Sequence, residues 1–365
     1  MGYIHKGKIS DNGYIQTDEI ITDPEKLTVN PEDDAIQVID YVKGDFEWWY
    51  FDISDVSSGF FLKLIVHIGT DPLKTKILAQ LTISINTPDI NKSLSFPFGI
   101  SEMKADLQRF CISIKDKNLL MVELNNPSLY NIQIDIPDFK CDLKFNSQIE
   151  GWKPLGEKIA YQSGKKKVDF SWVIPVPRAA VKGLFSHDNR KYTFTDATGY
   201  HDHNFIRIDR KYPLYLDNLV KKWYWGKCYA GDYTVIFCDV YFRTNRILSL
   251  MVAEKNKIIH SSNNTITCTV LSSGYDVNIN AEYPVSLQLE SLDAQFPFKA
   301  EFESEKILDR KDLLEEVNPV FKFLIKKLVA KPVYHGVSAG VKLEIKNRIL
   351  EGYGNFESMI FRGKL

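Results

Sequence analysis

The chain has 365 residues, enough for about two domains and for a substantial buried core. Its 46 Lys+Arg against 47 Asp+Glu, with no long block of one sign, point away from nucleic acid or an anionic membrane surface as partner. Five widely spaced cysteines (Cys111, Cys141, Cys228, Cys238 and Cys268) include no C-x-x-C pair, so free buried thiols are expected rather than a zinc or redox site.

The N-terminus, Met1-Gly2-Tyr3-Ile4-His5-Lys6, has no apolar core for a signal peptide, and Lys6 stands where a myristoylation motif wants Ser or Thr. No uncharged apolar run reaches the ~18 residues of a transmembrane helix, so a cytoplasmic protein is expected. Residues 1–44 are polar and turn-rich (Asp23-Pro24, Asn30-Pro31, Glu32-Asp33-Asp34) and read as an irregular segment lying over the surface. From Phe46 to Ile174, short β-branched and aromatic runs recur between turn signals: Phe60–Ile68, Leu78–Ile85, Phe110–Ile114, Leu119–Leu124, Tyr130–Ile136 and Val168–Val173. A second series follows at Tyr192–Thr195, Tyr233–Arg243, Ile247–Ala253, Thr265–Leu271, Val285–Leu289, Phe298–Phe302, Gly340–Ile345 and Ile349–Phe361. Many alternate apolar with polar residues, as half-buried antiparallel strands do.

One helical segment is predicted near 309–330, with Asp309 capping Arg310–Val317 and Phe321, Leu324, Ile325 and Leu328 at helical spacing beyond Pro319. Lys322, Lys326 and Lys327 on its polar face leave peripheral membrane contact open, although a helix plugging or flanking a barrel accounts for the same pattern. The whole reads as all-β: antiparallel barrels or sandwiches, of the kind that hold one small ligand.

Three clusters carry the chemistry. In Glu47-Trp48-Trp49-Tyr50-Phe51-Asp52, strand alternation sends Glu47, Trp49 and Phe51 to one face and Trp48, Tyr50 and Asp52 to the other. The tryptophans either fill a core or wall a pocket. Glu47 is the candidate acid/base group, because a carboxylate inside is costly unless paired or used. In Gly199-Tyr200-His201-Asp202-His203-Asn204, one face receives His201, His203 and Phe205. No third ligand follows at suitable spacing, so no metal is expected; the histidines form a buried hydrogen-bond network or, at His203, a proton relay. Trp223-Tyr224-Trp225-Gly226 precedes the strand Tyr233–Arg243, where Phe237, Asp239 and Tyr241 share a face. A carboxyl between two rings in an apolar pocket has its pKa raised and can act as a general acid, and rings nearby would stabilise a carbocation. Equally, Asp239 could face solvent or pair with Arg243 or His203.

Taken together, Glu47–Asp52, Ser171-Trp172-Val173-Ile174-Pro175-Val176-Pro177-Arg178-Ala179, Gly199–Asn204, and Trp223–Lys227 with Tyr233–Ile236 resemble the AttH-like, lipocalin-like family. That family includes carotenoid hydratases (hydroxyneurosporene synthases), with fungal Diels–Alderases and tocopherol cyclase as distant relatives. The resemblance covers roughly residues 45–360. It implies two tandem lipocalin-like antiparallel domains, 1–207 and 208–365, and an apolar ligand with no cofactor.

In the carotenoid hydratases the acid/base residues are a histidine followed two positions later by tryptophan, and a tyrosine followed two positions later by the acid. The matching positions here are His203 with Phe205 and Phe237 with Asp239, so both the tryptophan and the tyrosine are replaced by phenylalanine, with Tyr241 a displaced equivalent of the latter. The resemblance thus implies catalytic Asp239 and His203; with the reading of the residues above, Glu47 joins them, and Trp48, Trp49, Tyr50, His201, Phe205, Trp223, Trp225, Phe237 and Tyr241 are expected to form a substrate-binding wall. Fewer water-holding hydroxyls favour acid-initiated cyclisation of a terpenoid or polyene C=C over its hydration; a Diels–Alderase-type pericyclase and a non-catalytic lipid or pigment carrier are the alternatives.

Overall fold

The structure, a computed structural model, describes residues 28–70, 77–114, 118–124, 129–154, 159–163, 166–212, 220–242, 246–313 and 332–361. Among these residues the chain forms two antiparallel sheets, of twelve and nine strands. It divides into two compact units: the first comprises the described residues of Glu25–Lys158 and Asp169–Arg207, the second those of Ile159–Val168 and Ile208–Leu365.

The first sheet is built from β1 (Phe46–Asp55), β2 (Phe60–Thr70), β3 (Ile77–Asn86), β4 (Asn91–Phe98), β5 (Met103–Ala105), β6 (Cys111–Ile114), β7 (Leu119–Glu123), β8 (Leu129–Ile136), β9 (Phe139–Ser147), β10 (Ile159–Ser163), β11 (Lys166–His187) and β12 (Arg190–Ile208). Their order is β4-β3-β2-β1-β12-β11-β9-β8-β7-β6-β5, with β10 beside β11. Period-two patterning decides which side faces in: along β9, Phe139, Cys141, Leu143 and Phe145 are buried while Lys140, Asp142, Lys144 and Asn146 are exposed. These join Trp49, Phe51 and the aliphatic residues of β2, β3 and β8 in one core. The predicted strand Val168–Val173 runs on as β11 through Pro175 and Pro177; both precede Ala179, where the ladder with β9 begins, so their missing N–H groups cost that ladder nothing. Gly183 meets β9 where its φ is +137° and a Cβ would lie 2.1 Å from the Asp142 carbonyl oxygen, so only glycine allows this approach.

The second sheet comprises β13 (Val220–Ala230), β14 (Tyr233–Phe242), β15 (Arg246–Glu254), β16 (Lys257–Asn263), β17 (Ile266–Asp276), β18 (Ala281–Ser291), β19 (Phe298–Asp312), β20 (Val333–Ile345) and β21 (Arg348–Ile360), ordered β16-β15-β14-β13-β21-β20-β19-β18-β17. It encloses its own core, in which Phe237, Phe302 and Phe356 pack together.

One expectation is corrected. Asp309 does not cap a helix: Asp309, Arg310, Lys311 and Asp312 continue β19, paired with Gly336, His335, Tyr334 and Val333 of β20. Long-range pairing overrides a local capping signal there; residues 314–330 of the expected helix lie outside the described residues. The described part of the N-terminal segment is irregular apart from a one-turn helix α1 (Pro31–Asp34); Pro31, Glu32, Ile39 and Asp40 are exposed, while Asp34, Ala35 and Val38 are fully buried in the first unit. No helix among the described residues is long and apolar enough to cross a membrane.

Candidate functional site

In the first unit, β1 lies between β12 and β2, which pairs Trp49 with His203 and Phe51 with His201. The rings stack, at 4.7 Å for Trp49 on His203 and 3.8 Å for Phe51 on His201. Both histidines share one face, as alternation predicted; it is the core side, and each meets a carboxylate. His203 Nε2 lies 2.9 Å from Glu47 Oε1, and His201 Nε2 lies 2.9 Å from Asp34 Oδ2.

Glu47 is fully buried and accepts three further hydrogen bonds, from the Gln37 and Val38 amides at 2.7 and 3.1 Å and the Tyr41 hydroxyl at 2.6 Å. Asp34 also accepts from the Tyr130 hydroxyl at 3.0 Å, and its carbonyl accepts from Trp49 Nε1. Every residue holding Glu47 apart from His203 comes from residues 37–41, so this network ties the N-terminal segment onto β1 and β12. Each carboxylate is paired and hydrogen-bonded, as buried charges must be. Asp34 carries no signal in the sequence beyond the turn-rich run around it, and was not foreseen.

Glu123, buried beside this network, has its pKa raised to about 7 by burial, with the negative charge of Asp34 adding to the shift. A carboxyl whose folded pKa exceeds its unfolded one stabilises the fold most below the unfolded pKa and loses that contribution as pH rises through about 7. Glu123→Gln should therefore match the wild type in urea unfolding at pH 4 and exceed it by about 1–3 kcal/mol at pH 8; equal stability at pH 8 would refute the assignment.

On the other face of the same strands a second polar cluster forms. Asp202 accepts from Tyr200 (2.8 Å), Asn204 (2.9 Å) and Trp172 Nε1 (3.3 Å), and Asp52 accepts from Tyr50 (2.9 Å). Trp48, half-buried, stands edge-on to Phe46 on this face. Phe205 is buried 6.1 Å from His203.

In the second unit, Phe237, Asp239 and Tyr241 share one face of β14, the side toward the core, and Asp239 is fully buried. Arg243, one partner expected for it, lies outside the described residues, and the ion pair seen within the second unit is with another arginine. It is Arg246 at the start of β15, whose Nε and Nη2 donate to the two carboxyl oxygens at 2.7 Å each. Arg246 also covers the Tyr241 ring at 4.7 Å and donates to the Cys268 carbonyl at 3.1 Å. Lys222 lies over the rings of Tyr241 and Tyr224, at 4.7 and 5.2 Å, and donates to the Tyr224 hydroxyl at 3.1 Å.

Burial raises the Asp239 pKa above the ordinary carboxylate value, although the Arg246 hydrogen bonds oppose it. Burial also lowers Lys222 and raises both tyrosines, which stay as phenols. The rings facing Asp239 are thus Phe237, Tyr241 and Tyr224, the last its register partner on β13. Trp223 and Trp225 alternate with Tyr224 and stand on the opposite face, Trp223 against Phe361 and Trp225 under Lys227. Arg246 and Lys222 were missed because only strand pairing brings them to Asp239.

The comparisons with known proteins fit this architecture. No protein-family model matches the chain. Over 83 residues it is 35% identical to hydroxyneurosporene dehydrogenase of Chlorobaculum tepidum, a match that covers 21% of this chain and only 20% of that protein. Among solved structures, CghA with Sch210972 superposes with a TM-score of 0.60 at 11% identity, covering 92% of this chain and 97% of that one. An AttH-like protein (NE1406) from Nitrosomonas europaea gives 0.59 at 11% identity over 86% and 92% of the chains. Kievitone hydratase from Nectria haematococca gives 0.55 at 11% identity over 87% and 90%. By its motifs, its partial sequence match and its fold of two lipocalin-like β-units, the chain resembles the AttH-like, lipocalin-like family.

Proposed function

We propose that this protein is an enzyme acting on an unsaturated, largely apolar small molecule, and that its chemistry takes place in the second unit, where Asp239 protonates a carbon–carbon double bond. The observation that carries this reading is a fully buried carboxyl, its pKa raised by burial, set among Phe237, Tyr241 and Tyr224. The rings offer π-faces to the cation that protonation creates, and Arg246 receives the carboxylate that remains. The cation is then quenched by an internal double bond or hydroxyl, giving a cyclic isomer, or by water, giving an alcohol, and the proton released on quenching returns to the Asp239 carboxylate. A hydratase among the structural neighbours supports addition to an unsaturated carbon.

A second reading rests on the same ion pair. Arg246 holds both oxygens of Asp239, which favours the anion. A pericyclic reaction needs no proton donor, only shape and a hydrogen bond to a substrate carbonyl; Lys222 or Tyr224 would then supply that bond. One experiment divides these readings: incubation with acyclic prenyl alcohols and polyenes in heavy water, followed by mass spectrometry. Proton-initiated cyclisation yields an isomer carrying one deuterium on carbon, and hydration adds the mass of water. An unlabelled isomer would overturn the Asp239 assignment in favour of the pericyclic reading, and unchanged compounds recovered bound to the protein would indicate a carrier.

A further inference from the structure

On the core-facing side of the second sheet, strand pairing lines up five polar side chains. Asp239 on β14 is opposite Tyr224 on β13, Tyr224 opposite Ser358 on β21, Ser358 opposite His335 on β20, and His335 opposite Arg310 on β19. Directly opposed residues of neighbouring strands project to the same side. The adjoining row toward the core is Phe237, Gly226, Phe356 and Val337, so the polar row lies on an apolar floor.

Both ends of the row are closed by charge. Asp239 is held by Arg246 at one end. At the other, Asp276 accepts from Arg310 Nη1 at 2.9 and 3.2 Å and lies 3.4 Å from His335 Nε2, while Tyr283 stacks on the imidazole at 5.1 Å. Tyr224 has Lys222. Ser358, in the middle, differs: it is 1% exposed and its Oγ has no hydrogen-bond partner among the described residues. A hydroxyl shut away from water in this condition is destabilising, and a native fold keeps such a group where something else satisfies it.

We propose that Ser358 is the hydrogen-bonding anchor for an oxygen of the ligand, so that the second unit takes an apolar molecule bearing one hydroxyl or phenol group. This rests on the proposed use of that interior and deepens it. Ser358 is two strand spacings from Asp239, about 10 Å along the sheet. A substrate anchored at Ser358 therefore presents to Asp239 a double bond within about 10 Å of its oxygen.

The test uses two matched fluorescent probes with the full-length protein, 1-pyrenebutanol and 1-butylpyrene, which differ by the hydroxyl alone, with binding read by fluorescence anisotropy. The alcohol should bind about 5- to 10-fold tighter. Ser358→Ala should abolish that preference, leave 1-butylpyrene within about twofold, and leave the unliganded melting temperature equal to or above that of the wild type. Equal affinities in the wild type, binding of neither probe, a preference that survives Ser358→Ala, or a melting temperature lowered by several degrees would each overturn the anchor. No turnover enters the measurement, so the anchor can fail while Asp239 still proves to be the acid. Conversely, an intact preference in an Asp239→Asn protein that keeps its turnover would sink the acid and keep the anchor.

Discussion

Asp239→Asn is expected to lower turnover by about 10²–10⁴-fold, the usual range for loss of a positioned general acid, with ligand affinity changed by no more than about threefold. The substitution keeps the shape of the side chain and removes its capacity to give a proton, together with one of the two acceptor oxygens that Arg246 uses. Arg246, which is 37% exposed, keeps one hydrogen bond and recovers water on its outer side, so the fold should survive. Because the acid must be protonated to act, the wild-type rate should fall as pH rises through the raised pKa of Asp239. A near-normal rate in Asp239→Asn, or a wild-type rate that climbs with pH across that interval, would remove Asp239 from the chemistry and leave the pericyclic reading.

Glu47→Ala should have the largest effect on stability, about 3–5 kcal/mol, read as a shift of the first unit's transition in urea. Four donors converge on this one carboxylate, and removing it leaves a buried imidazole, a phenol and two amides without their acceptor. Glu47→Gln should lose less, because the amide oxygen still accepts. At a temperature where both remain folded, Glu47→Gln is expected to keep turnover within several-fold of the wild type; a loss as large as that of Asp239→Asn would return Glu47 to the catalytic group the sequence proposed. The same comparison bears on His203, whose Nε2 is engaged by Glu47.

Much of the architecture was legible in the residues. Alternation in Phe139–Ser147 or Tyr130–Ile136 reports burial directly, since successive side chains leave a strand on opposite faces. The same rule placed His201 with His203, Glu47 with Trp49, and Asp239 between Phe237 and Tyr241. It could not say which groups lie across the sheet. Arg246 meets Asp239 because β15 pairs with β14 in a register that opposes Arg246 to Tyr241, and nothing within β14 specifies that register. The error at Asp309 has the same origin: a capping residue states a local preference, which thirteen paired residues of β20 outweigh.

By itself, then, the sequence determined that this chain is all-β, that aromatic clusters accompany a few titratable groups, and that Asp239 shares its strand face with Phe237 and Tyr241. These follow from composition and a two-residue period, which every segment carries within itself. Only the tertiary structure decided that Glu47 is saturated by residues 37–41 and His203, that Asp239 is clamped by Arg246, that Tyr224 rather than Trp223 or Trp225 faces it, and that Ser358 stands in the same row without a partner among the described residues. The reason is physical: what a buried polar group does depends on which donors and acceptors reach it, and in an antiparallel sheet those come from strands brought alongside by register rather than by nearness in the chain.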